Sequence, residues 1–173
     1  VDTGKTSYGV ANLCSVAKYL HSIKSERPVI YGCNEEDVSR VTLRAIQCLT
    51  NRSAGQIEAD VKGTHAMIKA TGFDKIHFID HVNSISIVEK ILTKYMPRVM
   101  FIDICTKVKV SGSNKEGVNA LEEVFGQYRD LAKRHKCTLI CMAQGGDECF
   151  EKKYPDLRDI YGSKSAVQGE LDW

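Results

Sequence analysis

Val1-Asp2-Thr3-Gly4-Lys5-Thr6-Ser7 opens the chain. It reads as the second half of a phosphate-binding loop, G-x-x-x-x-G-K-[ST], whose first glycine would lie ahead of residue 1. In such a loop, backbone N–H groups, a lysine and the positive end of the following helix together neutralise a triphosphate. Lys5 would meet the β- and γ-phosphates, Thr6 would put its hydroxyl on Mg²⁺, and Gly4 would allow a close backbone approach that a Cβ would block. Asp2, Thr3 and Ser7 complete the predicted nucleotide-binding stretch. The competing reading is an ordinary helix N-terminus, with Thr3 as its cap and Lys5 in solvent.

Behind the loop, Val10, Leu13, Val16, Ala17 and Leu20 recur at helical spacing and predict a helix over 6–22. Pro28-Val29-Ile30-Tyr31-Gly32-Cys33 then reads as a short buried strand, followed by a helix over about 37–49. Residues 53–72 read as one or two polar helices ending at a glycine, 75–80 as a strand, and 84–96 as a helix with Ile85, Val88, Ile91 and Leu92 on one side. A very apolar strand over 98–104, a loop over 105–115, a long helix to about 135 and a buried strand over 138–143 follow. A polar loop over 144–156 and a short helix near 163–169 complete the series. Strands apolar throughout, separated by helices, predict an α/β fold with a mostly parallel sheet covered on both faces.

A length of 173 residues fits one domain spanning 1–173. The net charge of +2 offers no bulk electrostatic case for nucleic acid or membrane, so local lysines must carry any such role. The cysteines Cys14, Cys33, Cys48, Cys105, Cys137, Cys141 and Cys149 are odd in number, lie mostly in apolar runs and lack metal-ligand spacing. They read as buried reduced thiols of a cytoplasmic protein. No apolar stretch approaches the length of a membrane span, and no charged-then-apolar segment opens the chain. Both ends read as cut from something longer.

In a parallel sheet, ligands bind beyond the carboxyl ends of the strands. Val99-Met100-Phe101-Ile102-Asp103 is an apolar strand ending in a carboxylate, a Walker B pattern. Such a carboxylate is costly to bury without a cation or hydrogen bonds, and Mg²⁺ would compensate it. The alternative is an Asp capping the next turn. Asp80, after Ile76-His77-Phe78-Ile79, makes the same pattern and is the rival. Glu35 and Glu36 follow an earlier strand, where a carboxylate could orient and deprotonate the water attacking a γ-phosphate. Alternatively Asn34 caps the next helix and both glutamates sit in its first turn. Gln144, after the 138–143 strand, is either a γ-phosphate sensor or a loop residue.

The order of these pieces, G-K-T-S, strand-N-E-E, hhhhD, strand-Gln and then Tyr161-Gly162-Ser163 with Gln168 and Asp172, resembles the RecA-like ATPase domain of DnaB-type replicative DNA helicases, particularly phage versions, over essentially the whole chain. That resemblance implies a RecA-like P-loop NTPase using ATP and Mg²⁺. It makes Glu35 the catalytic base, with Glu36 open by a one-residue shift, and Asp103 the Walker B metal carboxylate. Gln144 would couple nucleotide state to DNA-binding elements, and 162–172 would be the last helicase motif.

The resemblance also implies loops that hold single-stranded DNA by its phosphates. The first candidate is the segment with Lys107, Lys109 and Lys115, whose glycine and serines suit a flexible backbone contact without base specificity. A second is 145–158, with Lys152, Lys153 and Arg158. Either could instead be a solvated surface loop. Further implied are a 5′→3′ motor, a homo-hexamer of the full-length protein, and primase and polymerase as partners. An arginine finger would come from outside this stretch. The fragment alone is expected to hydrolyse ATP weakly. Two other readings share the fold: a RecA/RadA-like recombination ATPase, and a non-catalytic KaiC-like ATP-binding module in which Glu35 and Glu36 are mere helix-turn charges.

Overall fold

A computed structural model describes residues 4–110, 112 and 117–143. Its elements run α1 (Lys5–Ser22), β1 (Val29–Cys33), α2 (Val38–Thr50), α3 (Ala54–Ala59), α4 (Val61–Lys69), β2 (Ile76–Asp80), α5 (Ile85–Tyr95), β3 (Val99–Asp103), α6 (Gly117–His135) and β4 (Thr138–Met142). The four strands are all parallel, in the order β2-β1-β3-β4. The expected elements are present within a residue or two over this range, except that the helices expected to end at residue 72 stop at Lys69. The predicted loop over 144–156 and helix near 163–169 lie outside the described residues.

Alternation along the two inner strands sends side chains to two separate cores. On one face Ile30, Met100 and Ile102 pack with Val88 and Leu92 of α5 and with Val124, Phe125 and Leu131 of α6. On the other, Val29, Tyr31, Cys33 and Phe101 meet Leu13, Ala17 and Leu20 of α1 and Val41 and Ala45 of α2. Helices on both faces force β1 to be buried at every position and β3 at all but its first. The outer strands differ from the expectation of strands apolar and buried throughout: β2 has exposed His77 and Asp80, and β4 is only half-buried. Each pairs on one side alone among the described residues.

Local chemistry fixes the element ends. Asp37, Ser53, Asp60 and Ser84 cap α2, α3, α4 and α5 by accepting backbone N–H groups. The 53–72 stretch resolves into two helices ending at Lys69, and Gly72 starts a short turn over Phe73–Lys75 rather than closing a helix. At the amino-terminal end of the sheet, the Arg27 guanidinium donates to the carbonyls of Met96, Pro97, His135 and Lys136 at 2.6–3.1 Å. One side chain thus satisfies carbonyls at the close of both α5 and α6.

Candidate nucleotide site

Strand register puts Asp80, Cys33, Asp103 and Met142 in one row at the carboxyl rim of the sheet. The start of α1 stands over the β3 part of that rim. Gly4 is the N-cap of α1, in the left-handed region at φ 74°, and no side chain caps the helix among the described residues. The N-cap position thus falls on Gly4, which has no side chain to close the end of the helix, while Thr3 lies outside the described residues. An ideal Cβ on Gly4 meets no described atom within 4 Å, so the demand for glycine is its positive φ rather than a close approach. Asp2 and Thr3 lie outside the described residues, Lys5 is half-buried and Ser7 exposed.

Thr6 lies in the first turn of α1 and is buried. Its hydroxyl donates to Asp103 Oδ2 at 3.0 Å, across 97 residues of sequence. The phenol of Tyr31 donates to the same oxygen at 2.8 Å. Asp103 is only 2% exposed, and its Oδ1 is buried with no hydrogen-bond partner among the described residues. The peptide bond after it is cis. An orphaned carboxylate oxygen beside a threonine hydroxyl is a hard-oxygen set of the kind Mg²⁺ takes, so the donors fit that ion. Asp80, the rival, is exposed at the sheet edge, accepts from the N–H of His81 and stands two strands away from Asp103 in the sheet order.

Beyond β1, Asn34 does not cap a helix. Its N–H donates to Asp103 O at 2.6 Å, and its Nδ2 donates to Val82 O at 2.7 Å and Ile104 O at 3.3 Å, knotting three strand ends together. Asp37 is the cap of α2, with no acidic residue in the first turn, so the reading of Glu35 and Glu36 as first-turn charges is overturned. Glu36 is held by Arg44 Nη1 at 2.6 Å. Glu35 is exposed and engaged by no side chain among the described residues. Gln144 lies outside them.

Lys107 and Lys109 are exposed on the segment after β3, but their backbone is not the flexible loop expected. A short turn covers Cys105–Lys107, Val108 is buried, and Lys109 bridges to Ser84 through its N–H to Asn83 O and its carbonyl to Ile85 N, both 3.0 Å. Lys107 Nζ reaches Asn34 O at 3.4 Å, beside Glu35. Lys115, Lys152 and Lys153 lie outside the described residues.

Burial pushes the thiols of Cys14 and Cys33 up to about 12 and that of Cys137 up to about 11. Cys48 corrects the expectation of uniformly buried thiols, for it is exposed on α2. Sequence reasoning passed over Tyr31 and Arg44. The one available signal was a hydroxylated aromatic inside an otherwise apolar strand. A groove of about 570 Å³ beside α6 and β4, lined by Arg98, Tyr128, Lys133 and Lys136 among others, includes none of these site residues. No described helix is long and apolar enough to cross a membrane.

No family model and no curated protein matches the chain. Among solved structures it is similar to the ATPase domain of a phage helicase, with a TM-score of 0.75 at 17% identity over 94% of this chain and 62% of that one. It is also similar to a DnaB-like replicative helicase described with its interactions with primase, with a TM-score of 0.72 at 15% identity over 94% of this chain and 43% of that one. The chain thus spans less than two thirds of either. At such identities the likeness concerns the backbone: a parallel sheet flanked by helices, the fold of the RecA-like ATPase domains of DnaB type.

Proposed function

We propose that this chain is the ATP-hydrolysing motor core of a replicative DNA helicase. The observation that carries the reading is the hydrogen bond from Thr6 to Asp103, which joins a half phosphate-binding loop to an apolar strand's terminal carboxylate. Its support in shape is the likeness to the phage helicase ATPase domain and to the DnaB-like helicase.

The start of α1 and Lys5 bind and orient the triphosphate, the helix end supplying partial positive charge where phosphate oxygens crowd. Thr6 and Asp103 hold Mg²⁺, which when bound neutralises charge developing on the phosphates. Glu35 accepts a proton from the attacking water, and a side chain with no partner among the described residues suits a group that must turn toward that water. Asn34 ties the Glu35 segment to the end of β3, so base and metal carboxylate keep one spacing. Gln144 reports the γ-phosphate to the elements that hold DNA.

Lys107 and Lys109, with Lys115, Lys152 and Lys153, hold single-stranded DNA by its phosphates. Subunits act as a homo-hexamer in the cytoplasm, with primase and polymerase as partners. The primase assignment leans on the description of one structural relative.

Measuring ATPase in the whole native protein with and without single-stranded DNA tests this. Glu35→Gln is expected to lower the DNA-stimulated rate by about two to four orders of magnitude while leaving nucleotide binding in place. A wild-type rate in that variant would remove Glu35 as base. A native ATPase indifferent to single-stranded DNA would remove the helicase reading.

A further inference from the structure

Tyr31 stands on the central strand β1 and is fully buried, between Phe101 stacked at 6.0 Å and 20° and Phe78 tilted at 6.4 Å. A phenylalanine would serve that packing equally well. The hydroxyl is therefore explained by its one partner among the described residues, Asp103 Oδ2 at 2.8 Å, since a buried hydroxyl without an acceptor is costly. The neighbouring element makes room for the contact. An ideal Cβ on Gly9, one turn behind Thr6 on α1, would lie 3.1 Å from the phenol oxygen and 2.6 Å from Met142 Sδ. Backbone of α1 thus passes close over the phenol, and glycine is what permits it.

Two donors from two elements converge on one oxygen of Asp103. Thr6 comes from the first turn of α1, and Tyr31 from the rigid middle of the sheet. The Thr6 hydroxyl can donate its hydrogen to Asp103 and offer a lone pair to the metal at once, so its place is tied to α1 and to whatever the nucleotide site holds. Tyr31 is independent of the nucleotide and fixed by its ring neighbours. We propose that Tyr31 is a positioning residue: its hydroxyl pins Asp103 Oδ2 from the sheet side and thereby keeps Oδ1, which has no partner among the described residues, turned toward the Mg²⁺ site. The proposal rests on the nucleotide-site reading above.

The test is a Mg²⁺ titration of fluorescent mant-ADP binding to the whole native protein, compared across Tyr31→Phe, Asp103→Asn and the double variant, with thermal unfolding of each. Tyr31→Phe is expected to keep wild-type mant-ADP affinity without Mg²⁺ and to raise the Mg²⁺ half-saturation about tenfold, the ratio that one hydrogen bond to a charged group corresponds to. In the Asp103→Asn background the same change is expected to do nothing further, so the double variant should overlay Asp103→Asn alone. A Tyr31→Phe titration that overlays wild type overturns the proposal. A Tyr31→Phe effect that persists at full size in Asp103→Asn overturns it too, because the phenol would be acting elsewhere. So does a Tyr31→Phe protein that fails to fold, because the hydroxyl would then be holding the core. An Asp103→Asn protein with an unchanged Mg²⁺ titration would instead sink the underlying metal assignment.

Discussion

Glu35 and Glu36 are neighbours in sequence with different surroundings: Arg44 closes on Glu36 at 2.6 Å, while Glu35 projects from the rim without a described partner. If Glu35 is the base, Glu36→Gln should cost no more than about 1 kcal/mol of stability, as a partly exposed ion pair does, and should spare the ATPase activity that Glu35→Gln removes. Side-by-side turnover and melting of the two variants separates them. The reverse pattern would move the base by one residue. This distinction was not legible in the sequence, where N-E-E offers two equivalent carboxylates. The partner that breaks the tie sits eight residues on, and only the angle at which α2 leaves β1 brings it back. Asp103 was legible because four apolar residues before a carboxylate leave few explanations for it. Tyr31 was not, because strand periodicity predicts burial of its ring and is silent about its oxygen.

Helices of this chain are held at their ends by short-range chemistry and at the base of the sheet by one long-range group. Asp37 and Asp60 both sit below their ordinary value of 3.8: Asp37 through the hydroxyl and then the N–H of Ser39, Asp60 through the N–H of Gly63 and then Arg52. Because folding lowers these values, their contribution is present above the unfolded carboxylate range and disappears as pH falls through the lowered folded values. Melting temperature followed downward from neutral pH should therefore drop below about pH 4 in the native chain, and Asp37→Asn should flatten part of that drop. Arg27 works differently, since its four carbonyl partners belong to the last residue of α6 and to chain just past α5 and α6. Arg27→Ala is expected to cost about 2 kcal/mol in urea unfolding, and Arg27→Lys to recover less than half of it, because an ammonium lacks the planar fork that reaches four oxygens. Asp and Ser ahead of apolar periodicity are local signals for such caps, although the sequence points to Asn34 rather than Asp37 for α2, whereas nothing local marks Arg27.

At the scale of the whole molecule, alternating strands and helices announced a parallel sheet, but not the order β2-β1-β3-β4 that places Asp103 beneath α1 and Asp80 out at an edge. Order is decided by which helix faces cover which strands, a matter of two separate cores that a linear pattern does not encode. Lys107 and Lys109 share the rim with the site, on backbone pinned to α5 by the Ser84 bridge. If they hold single-stranded DNA, removing each as Lys→Ala should reduce the slope of log affinity against log salt by about 0.7, measured on an oligonucleotide without regard to its sequence. An unchanged slope would make them solvated surface. Arg27 lies at the opposite end of strands five residues long, about 15 Å from that rim at the usual rise per residue, and shares no partner with Thr6, Asp103 or Glu35. Groups so separated contribute independently to free energy. The anchor that steadies the sheet can therefore be weakened or strengthened by substitution without retuning the chemistry at its far end, and the molecule carries its stability and its reactivity as two nearly additive quantities.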